Sequence, residues 1–374
     1  MTDFPPVEYA LRLAKAQAAM AAEGIDALLL TTEAEVRYFS GFRTAFWQSS
    51  TRPWFLIVPR DGALVAVVPE LGEALMRATW VDDVRVWAAP HPTDDGVSLL
   101  RDALAGLGTV GMPMGRGGAL RMGLTDFRRL GIDPVDASPL LHALRAVKSP
   151  AEVAAVAEIC AIGGRAFARA GELFREGMAL DAVFRAFRIA LLGEGAEEVP
   201  YLVGGAGACG YADVISPPDE TPLHAGDVLM LDTGASLRGY FCDFDRNFAI
   251  RRAEDAAKNA HAALWLATEA GLAAARPGNT CADVHAAMAK ALGDADRGGV
   301  GRLGHGVGSE MTEEPSLAPF DQTVLVPGMI LALEPSMATG PGTMMVTEEN
   351  VVITDDAPVL LTPRATPDLP VIDA

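Results

Sequence analysis

Three aspartates stand close together in the chain: Asp232 ends the apolar run Asp227-Val-Leu-Met-Leu, and Asp243 and Asp245 follow eleven and thirteen positions later. Strand side chains alternate faces, so Asp243 and Asp245 are expected on one face of a strand running from Gly239 to Ile250. A short hairpin can set that face beside Asp232. A pair of strand acids by itself is ordinarily a solvated edge. Three further features change that reading. His305 lies in Gly304-His305-Gly306-Val-Gly308, whose glycines remove bulk around an imidazole. Glu334 ends the apolar run Leu331-Ala-Leu and is followed by the strand-stopping Pro335. Glu348 opens Thr347-Glu348-Glu349-Asn350 ahead of a β-branched strand. Each feature alone is ambiguous. Carboxylates crowded together repel one another and resist ionisation, and divalent cations relieve both effects, so the chemistry on offer is metal-dependent.

Such a cluster needs strands to present it. From Pro150 onward, Ala-rich helices are expected over 151–174, 180–192, 254–274 and 282–292, in blocks apart from the strand-like segments, which favours an α+β class. Upstream, a helix over 12–23, strands over 27–31, 55–59 and 63–68, and a helix over 99–107 alternate in an α/β pattern. A boundary is read at Ala146-Val-Lys148-Ser149-Pro150-Ala-Glu152: Ser149 can cap a helix, Pro150 suits its first turn, and Glu152 completes a capping box. Two domains are therefore expected, residues 1–146 and 147–374. Gly205-Ala-Gly207-Ala-Cys-Gly210 matches a dinucleotide fingerprint, yet Pro217 and Pro218 follow where a phosphate-binding helix would have to run, so a turn is preferred.

Taken in order, the motifs read D-x-G, an Asp eleven positions later, G-H-G-x-G, E-P, and E-x-N before a β-branched strand. This combination resembles the pita-bread metallohydrolases, which include methionine aminopeptidase, aminopeptidase P, prolidase and creatinase. Gly24-Ile-Asp-Ala-Leu-Leu-Leu and Tyr38-Phe-Ser-Gly-Phe are similar to the amino-terminal domain of the creatinase and prolidase branch, so the resemblance spans essentially the whole chain. It implies a pita-bread catalytic domain preceded by a smaller creatinase-like α/β domain. It also implies metal ligation by Asp232, Asp243, His305, Glu334 and Glu348, with Glu334 relaying a proton. The four carboxylates of that set carry about −4 charges, which two divalent ions offset. Oxygen ligands with one imidazole suit Mn, Fe, Co or Zn. Two such ions about 3.5–4 Å apart generate a hydroxide near neutral pH that can attack a C–N bond. The expected function is an Xaa-Pro dipeptidase or aminopeptidase-like hydrolase acting on a dipeptide or other small molecule, as a homodimer.

The chain departs from the resemblance at two positions. Peptidases of this family resemble one another in a histidine seventeen positions before the first metal Asp and another seven after the metal His; here these are Ile215 and Thr312. Losing one donor to a tetrahedral oxyanion costs on the order of 10²–10³ in rate. A non-peptidase enzyme on the same fold therefore stands as the alternative: a creatinase-like amidinohydrolase or a dimethylsulfoniopropionate-type lyase acting on a zwitterion. Tyr211, Asp213, His224, Glu310, Glu313 and Thr312 are candidates to fill the gap. Asp245, where the family has Thr or Ser, is a candidate for a cationic substrate group, and Arg246 is expected to pair with buried acids. In creatinase-like and prolidase-like dimers the amino-terminal domain leans over the neighbouring site, so Arg43 or Arg52 could grip a substrate carboxylate.

Composition excludes other classes. Lys and Arg number 30 against 49 Asp and Glu, a formal −19, which disfavours nucleic acid and anionic membrane surfaces. No apolar run reaches the roughly 18 residues of a membrane span. The start lacks a basic segment followed by an apolar one, so no secretory signal is expected. Cys160, Cys209, Cys242 and Cys281 form no C-x-x-C pair, and a reducing cytoplasm is the expected location.

Overall fold

The computed structural model describes residues 3–49, 51–293 and 301–373. The chain forms two compact units, Met1–Arg145 and Ala146–Ala374.

The first unit is built on six strands: β1 (Ala27–Leu30), β2 (Phe55–Pro59), β3 (Val65–Pro69), β4 (Asp83–Trp87), β5 (Val110–Met112) and β6 (Val135–Asp136). They lie in the order β4-β3-β2-β1-β5-β6. Both faces are covered, which explains why the Leu28-Leu29-Leu30 run is apolar without alternation. Leu28, Leu30, Leu56 and Val58 pack with Leu13, Ala16 and Met20 of the helix Pro6–Glu23. Leu29, Phe55 and Ile57 pack on the other face with Leu100 and Leu104 of the helix Val97–Leu104. Each such burial contributes about 1.5–3 kcal/mol. The first helix starts six residues before the expected Arg12, because Pro6 at its first turn fixes a helical φ and has no N–H to leave unpaired.

The second unit opens with the helix Pro150–Ala168, and the capping box is present: Ser149 Oγ accepts from Glu152 N at 3.2 Å and Glu152 Oε2 from Ser149 N at 2.8 Å. The expected helix over 151–174 is interrupted at Arg169, whose backbone leaves helical geometry, and resumes as the short Ala170–Leu173. Helices Leu180–Glu194, Asp255–Ala274 and Cys281–Leu292 follow. The strands are β7 (Glu198–Ala208), β8 (Asp227–Leu237), β9 (Tyr240–Phe241), β10 (Phe244–Ile250), β11 (Gly304–Gly306), β12 (Glu313–Ser316), β13 (Ile330–Leu333), β14 (Ser336–Gly340), β15 (Thr343–Val346), β16 (Glu349–Val352), β17 (Val359–Leu360) and β18 (Val371–Ile372). One sheet runs β18-β10-β8-β7 with β9 pairing β8, a second runs β12-β11-β13-β16-β17, and β14 pairs β15. All of these pairings are antiparallel except β10 with β18, as an α+β domain requires.

The rejected dinucleotide motif runs from strand into turn: Gly205 and Gly207 lie within β7, which ends at Ala208, and Cys209 and Gly210 turn the chain. Just before them, Gly204 sits at φ 146°, and a Cβ there would fall 2.1 Å from Met230 O of β8, so glycine serves close strand approach. Among the described residues no helix is long and apolar enough to cross a membrane.

Candidate metal centre

Asp232 projects from β8 and lies directly opposite Asp245 in the β8–β10 register. Residues directly opposite on neighbouring strands share a face, so these two acids are neighbours because of pairing. The strand expected from Gly239 to Ile250 is divided into β9 and β10 at Cys242-Asp243, yet its pairing with β8 keeps one register, Ser236 with Phe241 and Thr233 with Phe244, and Cys242 N donates to Ala235 O at 3.1 Å. On the edge away from β8 the Asn350 side chain pairs with the backbone: Asp243 N donates to Asn350 Oδ1 at 2.9 Å, and Asn350 Nδ2 donates to Asp243 O. Alternation therefore keeps the Asp243 carboxylate on the Asp245 face, and Asn350 holds its backbone. Cys242 Sγ donates to the Thr233 and Ala235 carbonyls and lies in the core.

His305 sits on β11 between β12 and β13. Gly304 before it has φ 136°, and a Cβ there would lie 2.0 Å from Ala332 O, so the glycine lets β11 seat against β13. His305 Nδ1 is 2.9 Å from Gly306 O. A carbonyl can only accept, so Nδ1 carries the proton and Nε2 offers its lone pair. Nε2 lies 3.4 Å from Asp243 Oδ2 and 3.9 Å from Glu348 Oε1. Glu348 immediately precedes β16, and its backbone N donates to Asp245 Oδ1 at 3.0 Å. Asp243, His305 and Glu348 each offer one ligand atom, all within 4.8 Å of one another, and all three side chains are buried. Glu334 follows β13, held by its N–H on Leu303 O at 3.0 Å.

The electrostatics of this cluster are unfavourable without a cation. Loss of solvation, with repulsion from Glu334, pushes Asp232 up to about 7. Desolvation first and mutual repulsion second lift Asp243, Asp245 and Glu348 well above the carboxylate range, and desolvation raises Glu334. Burial drives His305 down to about 4 and keeps it neutral, as a ligand must be. Asp232 Oδ1, Asp245 Oδ2 and Glu348 Oε1 are buried with no hydrogen-bond partner among the described residues. Orphaned carboxylate oxygens beside a neutral imidazole fit hard or borderline divalent ions.

Other candidates fall elsewhere. Tyr211 is corrected: it is 1% exposed, its hydroxyl donates to Asn247 Oδ1 and accepts from Val346 N, and it packs in a core cluster, leaving nothing to offer a substrate. Ile215 is 75% exposed and Thr312 is exposed. Asp213 accepts from Ile215 N and Ser216 N, ordering its own turn. His224 is exposed in its turn. Glu313 forms a buried ion pair with Lys148. Arg246 does pair with a buried acid, Glu349, at 3.0 Å, and Arg364 pairs with the same carboxylate. That capture explains why Glu349, next to Glu348, turns away from the cluster. In the first unit, Arg43 Nη1 lies 2.6 Å from Asp3 Oδ1.

Two residues that order the site were not singled out from the sequence. Tyr201, across from Gly234 on β7, sets its hydroxyl against the Asp232 carboxylate. Asn350 was visible only as the last letter of E-x-N. Asn350→Leu would leave the Asp243 N–H and C=O buried and unpaired, each costing about 1–3 kcal/mol. A lower melting temperature of the metal-free protein and weaker metal uptake are expected, read by calorimetry and metal titration; unchanged uptake would show that Asn350 does not place Asp243.

A family model described as metallopeptidase family M24 matches residues 154–355, and one described as the creatinase/prolidase N-terminal domain matches residues 12–147. The chain belongs to metallopeptidase family M24. Membership in M24 makes it a hydrolase of metal-dependent type with the two-domain pita-bread architecture. Among similar M24 proteins, a probable dipeptidase PepE from Mycobacterium bovis is 30% identical over 94% of this chain and 93% of that protein. An Xaa-Pro dipeptidase from Pyrococcus furiosus is 24% identical over 94% of this chain and 97% of its own length. The crystal structure of dipeptidase PepE from Mycobacterium ulcerans superposes with a TM-score of 0.85 at 30% identity, covering 99% of both chains.

Proposed function

We propose that this M24 hydrolase is a dinuclear divalent-metal dipeptidase of Xaa-Pro type. The observation that carries the proposal is the gathering of Asp243, His305 and Glu348 within 4.8 Å beside carboxylate oxygens that have no hydrogen-bond partner among the described residues. Asp232, Asp243, His305, Glu334 and Glu348 would hold two ions, Mn, Fe, Co or Zn. When bound, such ions supply a hydroxide near neutral pH and polarise the scissile carbonyl. Glu334 takes the proton released at the attacking water and returns it to the leaving nitrogen. Asp245 orients Glu348 through the backbone bond, and Tyr201 orients Asp232. Thr312, Asp245 and Arg43 remain proposed substrate contacts, Arg43 by way of a homodimer; the setting proposed is the cytoplasm. The naming of 30%-identical relatives as dipeptidases supports a peptide substrate.

The exposed Ile215 and Thr312 favour a second reading, an enzyme on the same fold that turns over a small zwitterion. Metal analysis of purified protein, then assay on Xaa-Pro dipeptides, other dipeptides and small zwitterions before and after chelation, separates the two. Dipeptide hydrolysis abolished by chelation and restored by Mn²⁺ is the expected result. Turnover confined to zwitterions would replace the first reading by the second.

A further inference from the structure

Glu313 is joined to a lysine 165 positions earlier. Lys148 Nζ lies 2.9 Å from Glu313 Oε2, with the two side chains only 1% and 4% exposed. The other oxygen, Glu313 Oε1, accepts from Ser309 Oγ and from Glu310 N, each at 3.1 Å. One carboxylate therefore grips both the lysine and the turn that follows His305. Gly308 packs directly on the pair: a Cβ there would lie 2.6 Å from Glu313 Oε2 and 2.8 Å from Lys148 Cε. Lys148 is anchored in turn by its N–H on Gly328 O at 2.9 Å, and Val147 bridges Met329 just ahead of β13. The turn is thus tied to the root of β13, which flanks β11 on the side opposite β12.

Gly306, whose carbonyl fixes the His305 tautomer, pairs with Glu313 across β11 and β12. Resting on the metal-site reading above, the geometry points to Lys148 and Glu313 as positioning residues that act through His305: the buried pair fixes the Gly306 carbonyl, which holds Nδ1–H and aims Nε2 at Asp243 and Glu348. A buried ion pair contributes little stability compared with a well-packed apolar pair of similar volume, because desolvation offsets the attraction. Outer partners of a ligating histidine, in contrast, carry about 10–100-fold in metal affinity. Placement and stability can therefore be separated by mutation.

The test uses the full chain with MnCl₂ as titrant and follows the melting temperature of the metal-free protein, Mn²⁺ affinity by calorimetry, and kcat and KM on a dipeptide. Lys148→Met, which strands a buried carboxylate, is expected to lower both melting temperature and affinity. The double variant Lys148→Met/Glu313→Leu is expected to regain melting temperature while its Mn²⁺ affinity stays about 10–100-fold weak and kcat falls more than KM changes. Ser309→Ala, which removes one bond to Glu313 Oε1 and buries no charge, is expected to melt as the unsubstituted chain does and to bind Mn²⁺ several-fold more weakly. Mn²⁺ affinity within twofold of the unsubstituted chain in the double variant, or in Ser309→Ala, overturns the positioning role while leaving the metal site intact. An unsubstituted chain that takes up no Mn²⁺ overturns the metal reading and this proposal with it.

Discussion

Asp243→Asn is expected to empty the metal centre and lower kcat/KM by about 10³-fold or more, the scale at which loss of a ligand removes hydroxide generation and carbonyl polarisation together. Asp243 Oδ2 lies 3.4 Å from His305 Nε2, and the Asp243 backbone N–H and C=O are both held by Asn350. Asparagine preserves its shape and both clamp bonds, so the fold has no reason to fail. It also removes one charge from a group of mutually repelling acids. The metal-free variant should therefore melt no lower than the metal-free parent at pH 8, and higher if repulsion dominates. A mutation that merely damaged packing would move the melting temperature the other way. Metal analysis of the purified variant together with calorimetry checks both parts; stoichiometric metal in Asp243→Asn would remove Asp243 from the ligand set.

The metal-free protein should lose stability as pH rises from 5 to 8. A carboxyl whose folded pKa is raised holds its proton more tightly when folded. Its contribution is full below the unfolded pKa near 4 and drains away as pH climbs through the folded value, about 7 for Asp232. Asp243, Asp245, Glu334 and Glu348 are shifted the same way by the same burial. His305 opposes them. Held at about 4 against an ordinary 6.5, it favours folding at higher pH and loses that contribution as pH falls from 6.5 towards 4. Burial lowers His261 in the same direction, and five carboxyls outweigh two imidazoles, so the net slope is downward. Divalent ions supply the missing positive charge, and free metal at 100 times Kd adds about 2.7 kcal/mol. Melting curves in chelator at pH 5, 6, 7 and 8, repeated with Mn²⁺, should show a falling series that metal lifts most at pH 8. A chelated protein that melts higher at pH 8 than at pH 5 would contradict this account.

Local chemistry was legible in the sequence wherever one short segment decides the outcome. Ser149, Pro150 and Glu152 are near neighbours whose caps need no other part of the chain, and the helix begins where they stand. Gly304-His305-Gly306 announces close backbone approach, and Gly304 meets Ala332 O as such a motif requires. The pairing of Asp232 with Asp245 follows from a hairpin and period-two alternation.

What the sequence left open is everything decided between distant segments. Asp243 lies on the Asp245 face as alternation requires, but its backbone is held by Asn350, 107 positions away, which no local pattern announces. Tyr211 had the right chemistry for a substrate contact, but Asn247 and Val346 consume its hydroxyl in the core. Glu348 and Glu349 are chemically alike, and only Arg246 and Arg364 assign one of them to an ion pair. Residue types and spacing determined which groups were available and the secondary structure that presents them, because those depend on nearest neighbours along the chain. Which groups meet, which are silenced by a partner, and which are left buried without one was decided by tertiary packing, because desolvation and pairing depend on neighbours in space.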